Sequence, residues 1–77
     1  MRYIMDRIII DDRICNGKPI IRGKRITVHT ILEYLQAGDT REDILYQYPS
    51  LVEEDIDACL NFAIELMKRR YTIKQAA

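Results

Sequence analysis

The sequence predicts a mostly α fold, in which three helices follow a short N-terminal strand and a small β-hairpin. From residue 28 onward apolar residues recur every three or four positions, whereas residues 1–27 contain a β-branched run and turn dipeptides. Gly38 and Pro49 interrupt the helical pattern twice. We therefore expect a single domain over residues 1–77. It would comprise a strand and hairpin arm (1–27), a three-helix core (28–70) and a tail (71–77).

The N-terminal part contains two β signals. Residues 8–10 are three consecutive isoleucines, which predict a short strand that ends at Asp11. Residues 20–27 predict a small hairpin with Gly23 at the position that needs a positive φ, although an irregular loop is the alternative.

The first two helices have recognisable ends. Thr27 can cap the first with its hydroxyl, and Gly38 stops it. Thr40 and Asp43 form an approximate capping box at the start of the second, which must end before Pro49. The apolar faces would consist of Val28, Ile31, Leu32 and Leu35 in the first helix and Ile44, Leu45 and Tyr48 in the second.

The third helix should begin near Val52 or Glu53 and run to about Arg70. Its apolar positions cover roughly 160° of the circumference, more than an ordinary surface helix needs, and Phe62 lies beyond them. We therefore predict a second packing surface, for a homodimer or for another protein, unless the N-terminal strand and hairpin cover the excess. The predicted contact residues are Phe62, Leu66, Met67, Arg70 and Tyr71.

Charge is segregated along a chain whose net charge is zero. Residues 1–30 hold seven basic and three acidic side chains, residues 31–60 hold one basic and eight acidic ones, and the rest hold four basic and one acidic. This distribution indicates two charged surfaces that could face two partners, or simply a solvated exterior.

Enzymatic chemistry is not expected. His29 is the one histidine, and the two cysteines, Cys15 and Cys59, give neither the disulfide framework of small secreted domains nor the closely spaced ligands of a structural zinc site. The four acids of residues 53–57 suit the positive end of a helix dipole, and the three glycines form no phosphate-binding loop. We expect no metal and no cofactor. With no apparent signal peptide or membrane span, we also expect a cytoplasmic protein.

An ordered series of motifs runs through residues 6–67: Gly17 to Val28, then Ile31-Leu32, Ala37-Gly38-Asp39, Ile44-Leu45, Tyr48-Pro49, Leu51 and Glu54-Asp55-Ile56. This series resembles the family catalogued as domain of unknown function 433, whose members are described as VapB-like antitoxins. The resemblance implies a homeodomain-like helix-turn-helix core. It also implies binding to a PIN-like nuclease toxin and to operator DNA. Two positions depart from the family pattern: Lys24 stands where Thr is usual, and Val52 replaces a Thr or Ser.

An antitoxin that binds both a toxin and operator DNA is the function that we expect, but the sequence leaves alternatives open. The third helix starts with four acids, which would repel the phosphate backbone, so ordinary recognition-helix docking is disfavoured. The candidate DNA-binding residues are instead Lys18, Arg22, Lys24, Arg25, His29 and Thr30. The alternatives are a pure protein-interaction module and a DNA-binding regulator without a toxin.

Overall fold

The computed structural model describes residues 2–68 and confirms the mostly α fold. Its strands are β1 (Arg2–Met5), β2 (Ile8–Ile10) and β3 (Ile20–Ile21). Its helices are α1 (Val28–Gln36), α2 (Arg41–Gln47) and α3 (Glu53–Met67), and a short 3-10 turn spans Cys15–Gly17.

The strands form one antiparallel sheet in the order β1-β2-β3. Tyr3 pairs with Ile9, and Ile9 pairs with Ile20. The sequence predicted only β2 from this region, so β1 is an addition. It was missed because the β1–β2 turn, Asp6-Arg7, lacks the Asn-Gly or Asp-Gly signal of a tight hairpin. Arg7 nevertheless adopts a φ of 69°, a conformation that glycine usually supplies.

The hairpin predicted over residues 20–27 is smaller than expected. Ile20 and Thr27 form an isolated antiparallel bridge, and the backbone N–H of Ile21 donates to the carbonyl of Ile26 over 3.0 Å. Gly23 has a φ of 76°, as predicted for the turn. The main sheet partner of Ile20 and Ile21 is therefore β2, not the segment that follows them.

The connection from β2 to β3 is held by Asp11, whose side chain is buried. Its Oδ1 accepts hydrogen bonds from the backbone N–H and the Nε of Arg13, both over 3.0 Å, and its Oδ2 accepts from Nη2 of Arg13 over 3.0 Å. These bonds, the side-chain one foremost, lower the pKa of Asp11 to about 2. The carboxylate thus fixes the loop that leads to Lys18 and Pro19.

Both predicted caps of the first two helices are present. Thr27 Oγ1 accepts from the backbone N–H of Thr30 over 3.0 Å at the start of α1. At the start of α2, Thr40 Oγ1 accepts from the N–H of Asp43 over 3.1 Å, and Asp43 Oδ2 accepts from the N–H of Thr40 over 2.8 Å. α2 ends at Gln47, two residues before Pro49, because proline disfavours helical geometry in the residue before it.

The start of α3 depends on Asp55, which is 4% exposed. Its Oδ2 accepts from the backbone N–H of Val52 over 3.0 Å, and its Oδ1 accepts from Nη1 of Arg7 over 2.9 Å. One carboxylate therefore caps the helix and ties the β1–β2 turn to it. Asp55 is therefore buried, whereas the neighbouring acids Glu53, Glu54 and Asp57 are exposed.

The core lies between the sheet and the three helices. Its main cluster consists of Ile8, Ile21, Val28, Ile31, Ile44, Leu51, Ile56, Cys59 and Phe62. Phe62 is only 8% exposed and belongs to this cluster together with Ile8 of β2 and Val28 of α1. The sheet thus covers part of the wide apolar face of α3, which was one of the two explanations open at the sequence level.

We expect Asp55→Ala to lower the free energy of unfolding by about 2–4 kcal/mol, because it removes a helix cap and one partner of a buried ion pair. Asp57→Ala is the matched control, since Asp57 is an exposed acid of the same helix whose ion pair is worth under ~1 kcal/mol. Urea denaturation of the variants and the parent would measure the difference. Equal losses for the two variants would contradict a special role for Asp55.

We expect Val52→Thr to stabilise the fold by roughly 1 kcal/mol, because a hydroxyl at this position can accept from an unbonded amide in the first turn of α3. The backbone of Val52 is extended (φ −122°, ψ 168°) and its side chain is 47% exposed, so the added hydroxyl meets no steric barrier. Urea midpoints would test this. Val52→Ala, which adds no acceptor, should not raise the midpoint, and a rise in both variants would refute the capping explanation.

Candidate functional site

The basic residues predicted to contact DNA do not form one patch. Lys18, Arg22 and Arg25 are exposed, but Lys24 is half-buried. Its Nζ donates to the backbone carbonyl of Ser50 over 2.6 Å. Lys24 therefore fastens the hairpin to the α2–α3 connection, and its ammonium is already engaged within the chain.

The two predicted residues on α1 are also engaged. Thr30 Oγ1 lies 2.8 Å from Thr27 Oγ1, within the cap of α1. The Nε2 of His29 lies 3.1 Å from Oε1 of Glu33, one turn further along the helix. Thr30 thus has a local structural role, whereas His29 remains on the surface.

Lys18 and His29 meet at an apolar groove. This groove has a volume of about 300 Å³ and lies beside the last turns of α3. Its apolar lining consists of Pro19, Val28, Leu32, Phe62, Ala63 and Leu66. The structure therefore separates the predicted DNA-binding set: Lys24 lies near the start of α3, and Lys18 and His29 lie near its end.

The exposed side of the first half of α3 is acidic. Glu53, Glu54 and Asp57 are all exposed, and at 100° per residue they fall within about one quarter to one third of the helix circumference. Asp6, in the β1–β2 turn, borders the same shallow cavity as Glu54 and Asp57. We call these four residues the acidic face.

Asp6 was not anticipated as a member of this face. A polar pair, Asp6-Arg7, between two apolar segments of strand length was the available signal for a turn there. Two cations adjoin the acidic face, and each is paired. Arg7 binds Asp55, and Nη1 of Arg41 lies 2.7 Å from Oδ1 of Asp57.

The predicted interface residues have different environments. Phe62 is 8% exposed and belongs to the core cluster, so little of its side chain is available for a contact with another chain. Leu66 and Met67 are exposed, as an interface requires. Ile64, which the prediction left out of the contact set, is exposed as well. Arg70 and Tyr71 lie outside the described residues.

Residues 2–68 contain no cluster of three or more His, Cys, Asp or Glu side chains that could hold a metal ion. Cys59 is a free, buried thiol whose pKa is raised to about 12, first by burial and then by the charge of Asp55. A thiol in that state is a poor nucleophile at neutral pH. Within the same residues, no helix has the length and apolar character needed to cross a membrane.

Comparisons with known proteins place this chain beside uncharacterised ones. The family model described as "Protein of unknown function (DUF433)" matches residues 8–63. The crystal structure of a DUF433 member protein from Anabaena variabilis is similar, with a TM-score of 0.75 and 33% sequence identity. The match covers 79% of this chain and 60% of that one, so this chain spans less than two thirds of its length. No curated protein matches.

Proposed function

The chain belongs to the DUF433 family, and on that premise we propose that it is an antitoxin-type binding module, not an enzyme, which neutralises a PIN-like nuclease toxin. The observation that carries the proposal is the acidic face on the first half of α3. In an ordinary helix-turn-helix protein, this part of the last helix enters the major groove and needs neutral or basic side chains. Here it presents carboxylates.

An acidic helix face fits a cationic partner. A nuclease must attract nucleic acid to its active site, so its groove carries positive potential. Glu53, Glu54 and Asp57 project from a helix whose start is fixed by Asp55, so binding would cost little ordering of the backbone. The same carboxylates that disfavour DNA therefore favour a nuclease groove.

The resemblance to VapB-like antitoxins supports the same proposal, because such proteins act by occupying a nuclease. We further propose that the module works in the cytoplasm, where its two free cysteines would stay reduced. We also propose that it is a homodimer.

We expect the double variant Glu53→Gln, Glu54→Gln to weaken binding to a PIN-like nuclease encoded beside this gene by at least tenfold, because it removes two charges from the contact while keeping side-chain size. The matched control is Glu33→Gln, Glu65→Gln, which neutralises two exposed glutamates outside the acidic face, one on α1 and one in the last turn of α3. Titration calorimetry at two salt concentrations would measure both.

Three results would count against the nuclease proposal. The two double variants could lose affinity equally, the parent complex could be insensitive to salt, or the purified nuclease could remain active with the parent protein in excess. The first result would contradict the location of the contact, the second its electrostatic nature, and the third neutralisation itself.

Operator DNA is the second candidate ligand, and one observation favours it. Lys18 and Arg25 are both exposed, and both adjoin Cys15. The backbone carbonyl of Cys15 accepts from the N–H of Lys18 over 3.1 Å, and its Sγ lies 3.9 Å from the carbonyl oxygen of Arg25. Two cations held by one loop suit phosphate contacts from a basic arm.

We expect Lys18→Ala, Arg25→Ala to weaken binding to operator DNA and to random duplex alike, because phosphate contacts carry no sequence information. Each lost contact should reduce the slope of log K against log salt by ~0.9. The Glu53→Gln, Glu54→Gln variant should instead leave the affinity for DNA equal or raise it, because it removes negative charges that repel phosphates. Titrations of labelled duplexes at three salt concentrations would measure these effects. Unchanged affinity in the Lys18→Ala, Arg25→Ala variant would contradict DNA binding by these residues and would favour the pure protein-interaction function.

A further inference from the structure

The turn between β2 and β3 contains the dipeptide Asn16-Gly17, whose asparagine is exposed. The φ angle is 52° at Cys15, 57° at Asn16 and 75° at Gly17, so all three residues adopt the left-handed conformation. Residues with a Cβ rarely adopt it, because the Cβ approaches the following carbonyl oxygen. Asparagine and glycine tolerate it best, so this dipeptide suits the turn, whereas Cys15 is strained.

Backbone hydrogen bonds close the turn. The N–H of Gly17 donates to the carbonyl of Ile14 over 3.1 Å, and the N–H of Lys18 donates to the carbonyl of Cys15 over 3.1 Å. The side-chain amide of Asn16, in contrast, makes no hydrogen bond with the other residues of the described range. In the folded chain the nitrogen of Gly17 is therefore engaged, and the side chain next to it is free.

This dipeptide can undergo a reaction of its own. The nitrogen of Gly17 gives up its proton and attacks the side-chain carbonyl carbon of Asn16, and glycine has no side chain to hinder the attack. A C–N bond forms, ammonia leaves, and a five-membered succinimide remains. Water then opens this ring at either carbonyl, which yields aspartate or isoaspartate.

We propose that Asn16 is a deamidation site that the left-handed turn protects while it is closed. Ring closure requires the nitrogen of Gly17 to lie on the same side of the Cα–C bond of Asn16 as its Cβ. With a ψ of 32° at Asn16, that nitrogen lies on the opposite side. The hydrogen bond to Ile14 also holds the proton that the nitrogen must lose. Deamidation therefore has to wait until the turn opens.

The turn is tied to the rest of the fold at both ends. Before it, the carbonyl of Asp11 accepts from the N–H of Ile14 over 2.9 Å, and the buried carboxylate of Asp11 fixes the same loop. After it, the carbonyl of Pro19 accepts from the N–H of Val28 over 3.0 Å. Its own left-handed residues oppose closure, so local opening needs no unfolding of the helices. That locally open state is the one in which deamidation occurs.

The products change the turn in two ways. Aspartate adds a negative charge two residues before Lys18, and isoaspartate also lengthens the main chain by one carbon. The N–H groups of Gly17 and Lys18 then no longer meet their carbonyl partners in the same geometry. If Lys18 and Arg25 contact DNA, the new charge weakens that contact, and this consequence alone rests on the proposed function.

The chain carries its own control, because Asn61 is an exposed asparagine of α3 that is followed by Phe62. Peptide mapping by mass spectrometry at mildly alkaline pH measures conversion at both asparagines, in native buffer and in denaturing urea. In urea, Asn16 should convert at least tenfold faster than Asn61, because no side chain hinders the nitrogen that follows it. In native buffer, conversion of Asn16 should slow at least tenfold, which corresponds to a turn that is open about one tenth of the time or less.

Two acid-to-alanine variants separate opening of the turn from global unfolding. Asp11→Ala should speed the conversion of Asn16 in native buffer severalfold, because it frees the loop before the turn. Asp55→Ala should leave this rate unchanged where circular dichroism shows that the helices remain, since Asp55 contacts Val52 and Arg7. If Asp11→Ala itself is unfolded, Arg13→Ala replaces it, because it removes the side-chain partner of the same carboxylate.

Four results would overturn the proposal. Asn16 could convert equally fast in native buffer and in urea, or no faster than Asn61 in urea. The variant that loosens the loop could convert at the parent's rate, or Asp55→Ala could accelerate conversion as much as that variant does. None of these measurements involves a nuclease or DNA, so their outcome is independent of the proposed function.

Discussion

The carboxylate of Asp55 is the contact on which the rest of this small fold depends. It accepts from the amide of Val52, so it starts α3, and it accepts from Arg7, so it fastens the β1–β2 turn to the helix. A 77-residue chain has little core to spare, and a buried charge of this kind is tolerable only with both partners in place. The sheet and the helical core are therefore joined by one side chain as well as by apolar packing.

The surfaces of α3 follow from that attachment. Phe62 is only 8% exposed and packs in the core cluster with Ile8 of β2 and Val28 of α1. The acids adjacent to Asp55 are left facing outward, joined by Asp6 from the turn. Farther along the helix, Ile64 and Met67 are exposed. One helix thus presents a buried core side, an acidic face in its first half and exposed apolar residues near its end.

Much of the fold was accessible from residue patterns. Thr27, Thr40 and Gly38 marked helix ends correctly because capping is a local interaction, complete within a few residues. The family was accessible as well, since its motifs keep a fixed order along the chain. The failures were β1, whose turn lacks the usual glycine, and the burial of Phe62. The burial of Phe62 could not be predicted because it depends on contacts between segments that are far apart in the sequence, such as those of Ile8 and Val28 in the same core cluster.

Taken alone, the sequence determined the three helices, the caps of the first two and the segregation of charge. Only the tertiary structure decided which charges remain available. Lys24 donates a hydrogen bond to the carbonyl of Ser50, and Asp55 accepts one from Arg7. Glu53 and Glu54, in contrast, are exposed. The physical reason is that a buried charge must find a partner to offset its lost hydration. Residues 48 positions apart in the chain can supply one only after the fold has brought them together.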